Sequence, residues 1–144
     1  MSYIKRIAAV ILFFLLGGLL PPAALEVRQG RMKLVLHEGI GRFSLYLLTG
    51  ESQGGTVPLF VDQDPRTSGS SLVVDNRIYR LGESSEFHEQ AEMTAKGARF
   101  VWESKKVRVL QEFTFLGNHE DGVILATTIG NLSEHPISAG LRYC

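Results

Sequence analysis

Residues 98–116, ARFVWESKKVRVLQEFTFL, decide the fold because they carry the clearest hairpin pattern in the sequence. Apolar and polar side chains alternate on both sides of the polar segment SKK, which is the period of two typical of half-buried strands. A four-residue turn at residues 103–106 would place Trp102 opposite Val107, on the same face as Phe100. Because a lone hairpin is only marginally stable, this apolar face predicts a second layer that covers it.

The rest of the chain shows similar short runs separated by turn residues. Predicted strands occupy residues 31–36, 41–48, 56–61, 71–74, 77–81, 123–129 and 137–143. Pro58 cannot donate a ladder hydrogen bond and therefore predicts an edge strand. Asp75 and Asn76 tolerate positive φ and predict a tight hairpin turn. Strands repeated at intervals of about 8–12 residues predict an all-β fold, an antiparallel β-sandwich or a barrel, of which we favour the sandwich.

One segment of the body fits either a strand or a helix. Residues 87–96, FHEQAEMTAK, have helix-favouring residue types, but their apolar positions also fit one face of a strand. No Glu or Gln follows Ser84 or Ser85 at the capping-box position, so we favour a strand and keep a helix as the alternative.

Residues 123–129, VILATTI, are mostly apolar on both faces, which predicts a central strand.

Composition excludes several classes of protein. The 144 residues contain 15 Lys and Arg and 15 Asp and Glu, so no net charge draws the chain toward nucleic acid. Removing residues 1–24 takes away Lys5 and Arg6 but no acid, leaving 13 basic and 15 acidic groups, which argues against nucleic-acid binding. Cys144 is the only cysteine, so no disulfide can form within the chain.

The amino-terminal segment has the three parts of a secretory signal. Lys5-Arg6 precede the apolar run 7–20, and Pro and Ala follow it. The apolar core of 14 residues is short for a membrane span, which needs roughly 20. We therefore predict a signal peptide at residues 1–24, a β-sandwich domain at residues 25–144, and a periplasmic or secreted location. The alternatives are an uncleaved membrane anchor at residues 7–25 and a buried core helix.

The second half of the body resembles a known class of β-sandwich. The run from Phe113 through Val123 to Asn131-Leu132-Ser133 and Gly140-Leu141-Arg142 is similar to galactose-mutarotase-like, or supersandwich, modules, which occur beside carbohydrate-active domains in secreted bacterial proteins. The resemblance covers about 30 residues, implies architecture only and carries over no functional residue. The final residues follow a strand pattern, so we favour a chain that is the front part of a longer protein over a complete domain.

One motif could carry nucleophilic catalysis. Gly50-Glu51-Ser52-Gln53-Gly54 matches the G-x-S-x-G nucleophile elbow and follows a predicted strand. That mechanism needs the serine on a strained turn that leads into a helix. The following Gly55-Thr56-Val57-Pro58 cannot open such a helix, so we predict a polar hairpin loop.

Candidate metal ligands are scattered over different turns. The histidines are His37, His88, His119 and His135. On a strand, His88 and Glu92 would lie about 13 Å apart, too far for one metal, whereas a helix would bring them together. Asp62-Gln63-Asp64 offer oxygen ligands for calcium but lack the further acids of a calcium loop, and the acidic turn Asn118, Glu120, Asp121 is similar. We therefore predict no metal site and no cofactor.

Four aromatic residues are candidates for sugar binding, and one sequon is a candidate for glycosylation. Tyr46, Tyr79, Trp102 and Tyr143 could form a stacking platform for sugar rings, although Trp102 fits the core better. Asn131-Leu132-Ser133 is an N-glycosylation sequon that matters only in a eukaryotic secretory route.

These observations favour an exported, non-catalytic β-sandwich module that binds other domains, envelope proteins or glycans. The alternative is the amino-terminal part of an extracytoplasmic carbohydrate-active enzyme whose catalytic residues lie beyond Cys144. We expect no catalytic residue in the chain itself, and contact with a membrane only through an uncleaved amino-terminal segment.

Overall fold

The computed structural model describes residues 24–50, 55–60, 68–117 and 121–143. Every regular element in these ranges is a β-strand, so the all-β prediction is confirmed. The strands described are β1 (Ala24–Gln29), β2 (Met32–His37), β3 (Arg42–Thr49), β4 (Gly55–Pro58), β5 (Ser70–Val74), β6 (Arg77–Arg80), β7 (His88–Thr94), β8 (Gly97–Glu103), β9 (Val107–Phe115), β10 (Val123–Asn131) and β11 (Ala139–Tyr143).

The strands form three antiparallel sheets around one core. Their orders are β1-β2-β3-β4, β10-β9-β8-β7 and β11-β5-β6. Trp102, Phe100 and Phe113 are the largest fully buried side chains, as the apolar face of the hairpin predicts. Phe43 of β3 packs edge-on against Phe113 of β9 with ring centroids 4.7 Å apart, so the first two sheets share the core. The arrangement is sandwich-like.

The third sheet meets the second through a buried polar contact. Gln111 of β9 is 1% exposed and donates a hydrogen bond from Nε2 to Ser70 Oγ of β5 at 2.9 Å. Gln111 lies on the inward face of β9, where the alternation of the sequence would place an apolar side chain. A buried amide needs such partners, and no buried side-chain polar atom in the described ranges lacks one.

The register predicted for the central hairpin is wrong by two residues. Trp102 pairs with Val109, not with Val107, and Phe100 pairs with Gln111. The reason is Ser104: its N–H donates to the Val107 carbonyl at 2.9 Å and its hydroxyl accepts from the Val107 N–H at 3.1 Å. Ser104 therefore closes a two-residue turn. A shift of two preserves the face on which each side chain lies, so the predicted apolar face survives.

Several local predictions are confirmed. Asp75 and Asn76 have φ of 47° and 65°, the left-handed conformations required for the tight turn between β5 and β6. Pro58 ends β4, the outermost strand of its sheet. Residues 88–94 of the ambiguous segment form the strand β7, not a helix.

The prediction that residues 123–129 form a central strand is wrong. The sequence predicts a central strand, but in the described part of the chain β10 pairs only with β9 and lies at the end of its sheet. Its residues alternate between half-buried and exposed, with Ile124 53% exposed, because nothing described covers its outer face. The sequence prediction also missed β1, where Leu25 pairs with Leu36 of β2 and packs against the core.

The predicted signal peptide lies outside the described residues except for Ala24. The same holds for the alternative anchor, of which only Ala24 and Leu25 are described, both in β1. No helix in the residues that are described has the length and apolar character needed to cross a membrane.

Candidate functional site

A cleft lies where the loop after β6 approaches the turn between β8 and β9. We call it the corner cleft; it measures about 480 Å³ and is lined by Val74, Arg77, Tyr79, Ser85, Glu86, Phe87, Ser104, Lys105, Lys106 and Val107. The loop after β6 contains Gly82, which has φ of 85° and lies against the backbone of Ile40 and Gly41. A Cβ at position 82 would clash with that backbone, so only glycine seats the loop there.

One wall of the corner cleft is aromatic. The rings of Tyr79 and Phe87 contact each other edge to face with centroids 5.4 Å apart. The Arg77 guanidinium lies over the Tyr79 ring at 5.0 Å and bonds Glu86 Oε1 at 2.5 Å. Arg77 is therefore neutralised by Glu86 and covers the face of Tyr79 on which a sugar ring could stack.

The opposite wall carries the positive charge of the cleft. Lys105 and Lys106 are both exposed, and neither ammonium group has an ion-pair partner among the described residues. The nearest acid in sequence, Glu103, pairs with Arg108, with Oε2 and Nε 3.6 Å apart. Ser104 fixes the turn by accepting hydrogen bonds from the backbone N–H groups of Lys106 and Val107. The turn thus presents two free cations beside an aromatic wall, an arrangement that can bind anionic groups.

A second, wider groove of about 780 Å³ lies on the outer face of β7, β8 and β9. Of its lining charges, Glu92 pairs with Arg99 and Glu103 pairs with Arg108, whereas Lys105, which also lines the corner cleft, has no ion-pair partner among the described residues. Arg99 Nε lies 2.6 Å from Glu92 Oε1, and Glu112 lies 4.0 Å from the same guanidinium. The hydrogen bond to Glu92, together with its charge, raises the pKa of Arg99. Because cations and carboxylates already alternate across these strands, this groove has less free charge for a ligand than the corner cleft.

The four aromatic residues of the predicted sugar platform do not come together. Trp102 is fully buried and donates from Nε1 to Glu89 Oε2 at 3.1 Å, which confirms its place in the core. Tyr46 lies beneath the Lys33 ammonium, Tyr143 is 51% exposed beside Thr127, and Tyr79 lies in the corner cleft.

The described histidines, His37, His88 and His135, lie in different segments of the chain. His37 is hydrogen-bonded through Nε2 to Ser44 Oγ at 2.8 Å, and His88 is exposed on β7. Because residues 88–94 form a strand, His88 and Glu92 lack the helical spacing that would bring them together. In the ranges that the structure describes, no three His, Cys, Asp or Glu side chains are grouped to hold a metal.

Several candidate segments lie outside the described residues. They are residues 51–54 of the G-x-S-x-G motif, the Asp62-Gln63-Asp64 loop, and Asn118, His119 and Glu120. Asp121 is described and forms an ion pair with Arg31. In the sequon, Asn131 accepts hydrogen bonds from the N–H and hydroxyl of Ser133 and donates to the His135 carbonyl, so its side chain stabilises the turn after β10.

The sequence prediction missed the corner cleft. The hairpin pattern identifies Lys105 and Lys106 only as turn residues, although two adjacent lysines whose neighbouring acid belongs to another pair are a weak signal of free charge. No sequence pattern places Phe87 beside Tyr79, because that contact depends on how the loop after β6 folds back.

Comparisons with protein-family models, with curated proteins and with solved structures give no significant match to this chain. The resemblance to supersandwich modules therefore stays a prediction about architecture.

Proposed function

We propose that this protein is an exported, non-catalytic β-sandwich module, and that it binds acidic glycans through the corner cleft. The observation that carries the proposal is the pair of unneutralised lysines, Lys105 and Lys106, set beside the aromatic wall of Tyr79 and Phe87. Carboxylate or sulfate groups of a polysaccharide would accept charge-assisted hydrogen bonds from the two ammonium groups. The apolar edges of sugar rings would contact Phe87.

The site favours a weak and salt-dependent interaction. Both lysines are exposed, and exposed ion pairs contribute only about 0–1 kcal/mol each. Useful affinity would therefore come from repeated acidic units along one polymer, since linked weak contacts gain avidity. Binding should weaken as salt rises, because screening acts over about 10 Å at 0.1 M ionic strength.

The test compares two turns of the same sheet. Lys105→Ala/Lys106→Ala removes the free charge at the β8–β9 turn, and Lys96→Ala removes one at the β7–β8 turn, which lies at the opposite end of β8. Affinity for polygalacturonate, measured by calorimetry, should fall about tenfold in the double variant and remain unchanged in Lys96→Ala. Neutral dextran should not bind. Equal binding by all three proteins would contradict the proposal.

Export is proposed from the amino-terminal sequence and is tested separately. We expect the mature protein in the periplasm or medium to begin near Ala24 or Leu25, as measured by mass spectrometry of its amino terminus. An intact Met1 on protein that stays with the membrane after carbonate washing would instead support the anchor at residues 7–25.

A further inference from the structure

Strand β10 differs from every other strand that ends a sheet in the described part of the chain. β1 carries Glu26 and Arg28, β4 carries Pro58, and β6, β7 and β11 each carry at least one charged residue. Charge and proline on an edge strand prevent pairing with another chain. The nine residues of β10, VILATTIGN, contain neither. On β7, at the opposite end of the same sheet, the Ala91 N–H is occupied by a hydrogen bond to Glu38 Oε1.

The hydrogen bonds at the two ends of β10 show which of its backbone groups point away from β9. The Leu116 N–H donates to the Gly122 carbonyl at 2.9 Å, and the Leu132 N–H donates to the Lys106 carbonyl at 2.8 Å. Hydrogen-bonded positions alternate along an antiparallel pair, so the even-numbered residues of β10 bond to β9. The odd-numbered residues present their N–H and C=O groups outward; they are Val123, Leu125, Thr127, Ile129 and Asn131.

We propose that β10 pairs antiparallel with β10 of a second copy of this chain, about a two-fold axis at Thr127. This register sets Leu125 opposite Ile129 of the other copy and brings the exposed Ile124 over Gly130, where no side chain competes for the space. Because β10 has no charged residue, no like charges meet in this pairing. A strand that complements itself in this way fits a symmetric interface, in which the same residues serve both partners.

The centre of this pairing carries an aromatic anchor. The Tyr143 hydroxyl is hydrogen-bonded to Thr127 Oγ1, and Tyr143 is 51% exposed. A two-fold axis at Thr127 brings the two Tyr143 rings near each other, and tyrosine at the centre of an interface is a common source of binding energy. The outward groups of the two strands supply about ten hydrogen bonds, the number typical of a protein interface.

Proline substitutions separate pairing between copies from pairing with β9. Thr127→Pro removes an outward N–H and the hydrogen bond between Thr127 Oγ1 and Tyr143, but no hydrogen bond to β9, so the protein should stay folded by circular dichroism and become monomeric in sedimentation equilibrium. Thr128→Pro removes an N–H that bonds to β9 and should instead lower the melting temperature. The wild-type protein should sediment as a dimer at micromolar concentration. A wild-type monomer, or a dimer that survives Thr127→Pro, would overturn the proposal.

Charge substitutions test the register without touching the backbone. Ala126 and Thr128 are exposed on the outer face and lie opposite each other across the proposed interface. Ala126→Lys/Thr128→Lys should weaken the dimer about tenfold by like-charge contact, whereas Ala126→Lys/Thr128→Glu should restore it through two ion pairs. Equal dimer affinity of the two variants would contradict this register.

Discussion

Strands β9 and β10 lie side by side in one sheet, yet they are covered very differently. Every inward residue of β9 is buried, whereas none of the nine residues of β10 is. On the outer face β9 carries Arg108 and Glu112, and β10 carries no charge at all. Alternation of side chains therefore defines a strand, but burial depends on which other sheet lies above it and on which neighbours flank it.

The largest difference in stability between the two strands should come from truncating two apolar residues that are cross-strand partners. Phe113 of β9 and Leu125 of β10 are cross-strand partners. Phe113→Ala should lower the free energy of unfolding by about 3–5 kcal/mol, because its ring is 1% exposed and contacts Phe43 and Phe100. Leu125→Ala should cost clearly less, about 1–2 kcal/mol, because Leu125 is only partly buried.

Urea unfolding followed by tryptophan fluorescence measures both values, since Trp102 lies in the same core. Equal losses for the two variants would show that β10 is as well covered as β9, and would contradict the difference between the strands.

A second cross-strand pair consists of a buried polar residue and a more exposed one. Gln111 of β9 pairs with Thr127 of β10, and only Gln111 is fully buried. Gln111→Ala should cost about 2 kcal/mol, because it leaves a cavity and takes the partner from Ser70. Adding Ser70→Ala should recover part of the loss, so a double-mutant cycle gives a coupling energy of about 1 kcal/mol. Additive effects of the two substitutions would mean that this contact does not join the sheets.

The smallest effect should come from the outer face of β10. Ile124→Ser should change the free energy of unfolding of the monomer by less than about 0.5 kcal/mol, because the side chain is 53% exposed. The same substitution should weaken the proposed dimer, since Ile124 then no longer covers Gly130. A large loss of monomer stability would show that another part of the protein covers this face, and would contradict the exposure of Ile124.

The strands of this fold could be predicted because their side chains alternate within short windows. The Asp75-Asn76 turn and the buried face of Trp102 follow from residue chemistry alone. The hairpin register could not be derived from the pattern, because one hydroxyl, that of Ser104, selects a two-residue turn over the four-residue turn. A shift of two residues leaves the pattern of faces unchanged.

The position of β10 and the corner cleft depend on contacts between distant segments. An apolar strand such as β10 fits a central position equally well, because sequence alternation does not state how many neighbours a strand has. In the loop after β6, Gly82 lies so close to the backbone of Ile40 and Gly41 that a Cβ would clash with it. No local pattern predicts that approach.

Residue-resolved amide hydrogen exchange tests the central claim most directly. In β9, which is paired on both sides, every amide should exchange slowly. In dilute monomer, β10 should alternate: slow exchange at Ile124, Ala126 and Thr128, and fast exchange at Leu125 and Thr127, which gain protection as concentration rises. Fast exchange throughout β9, or uniform protection of β10 at all concentrations, would contradict this account.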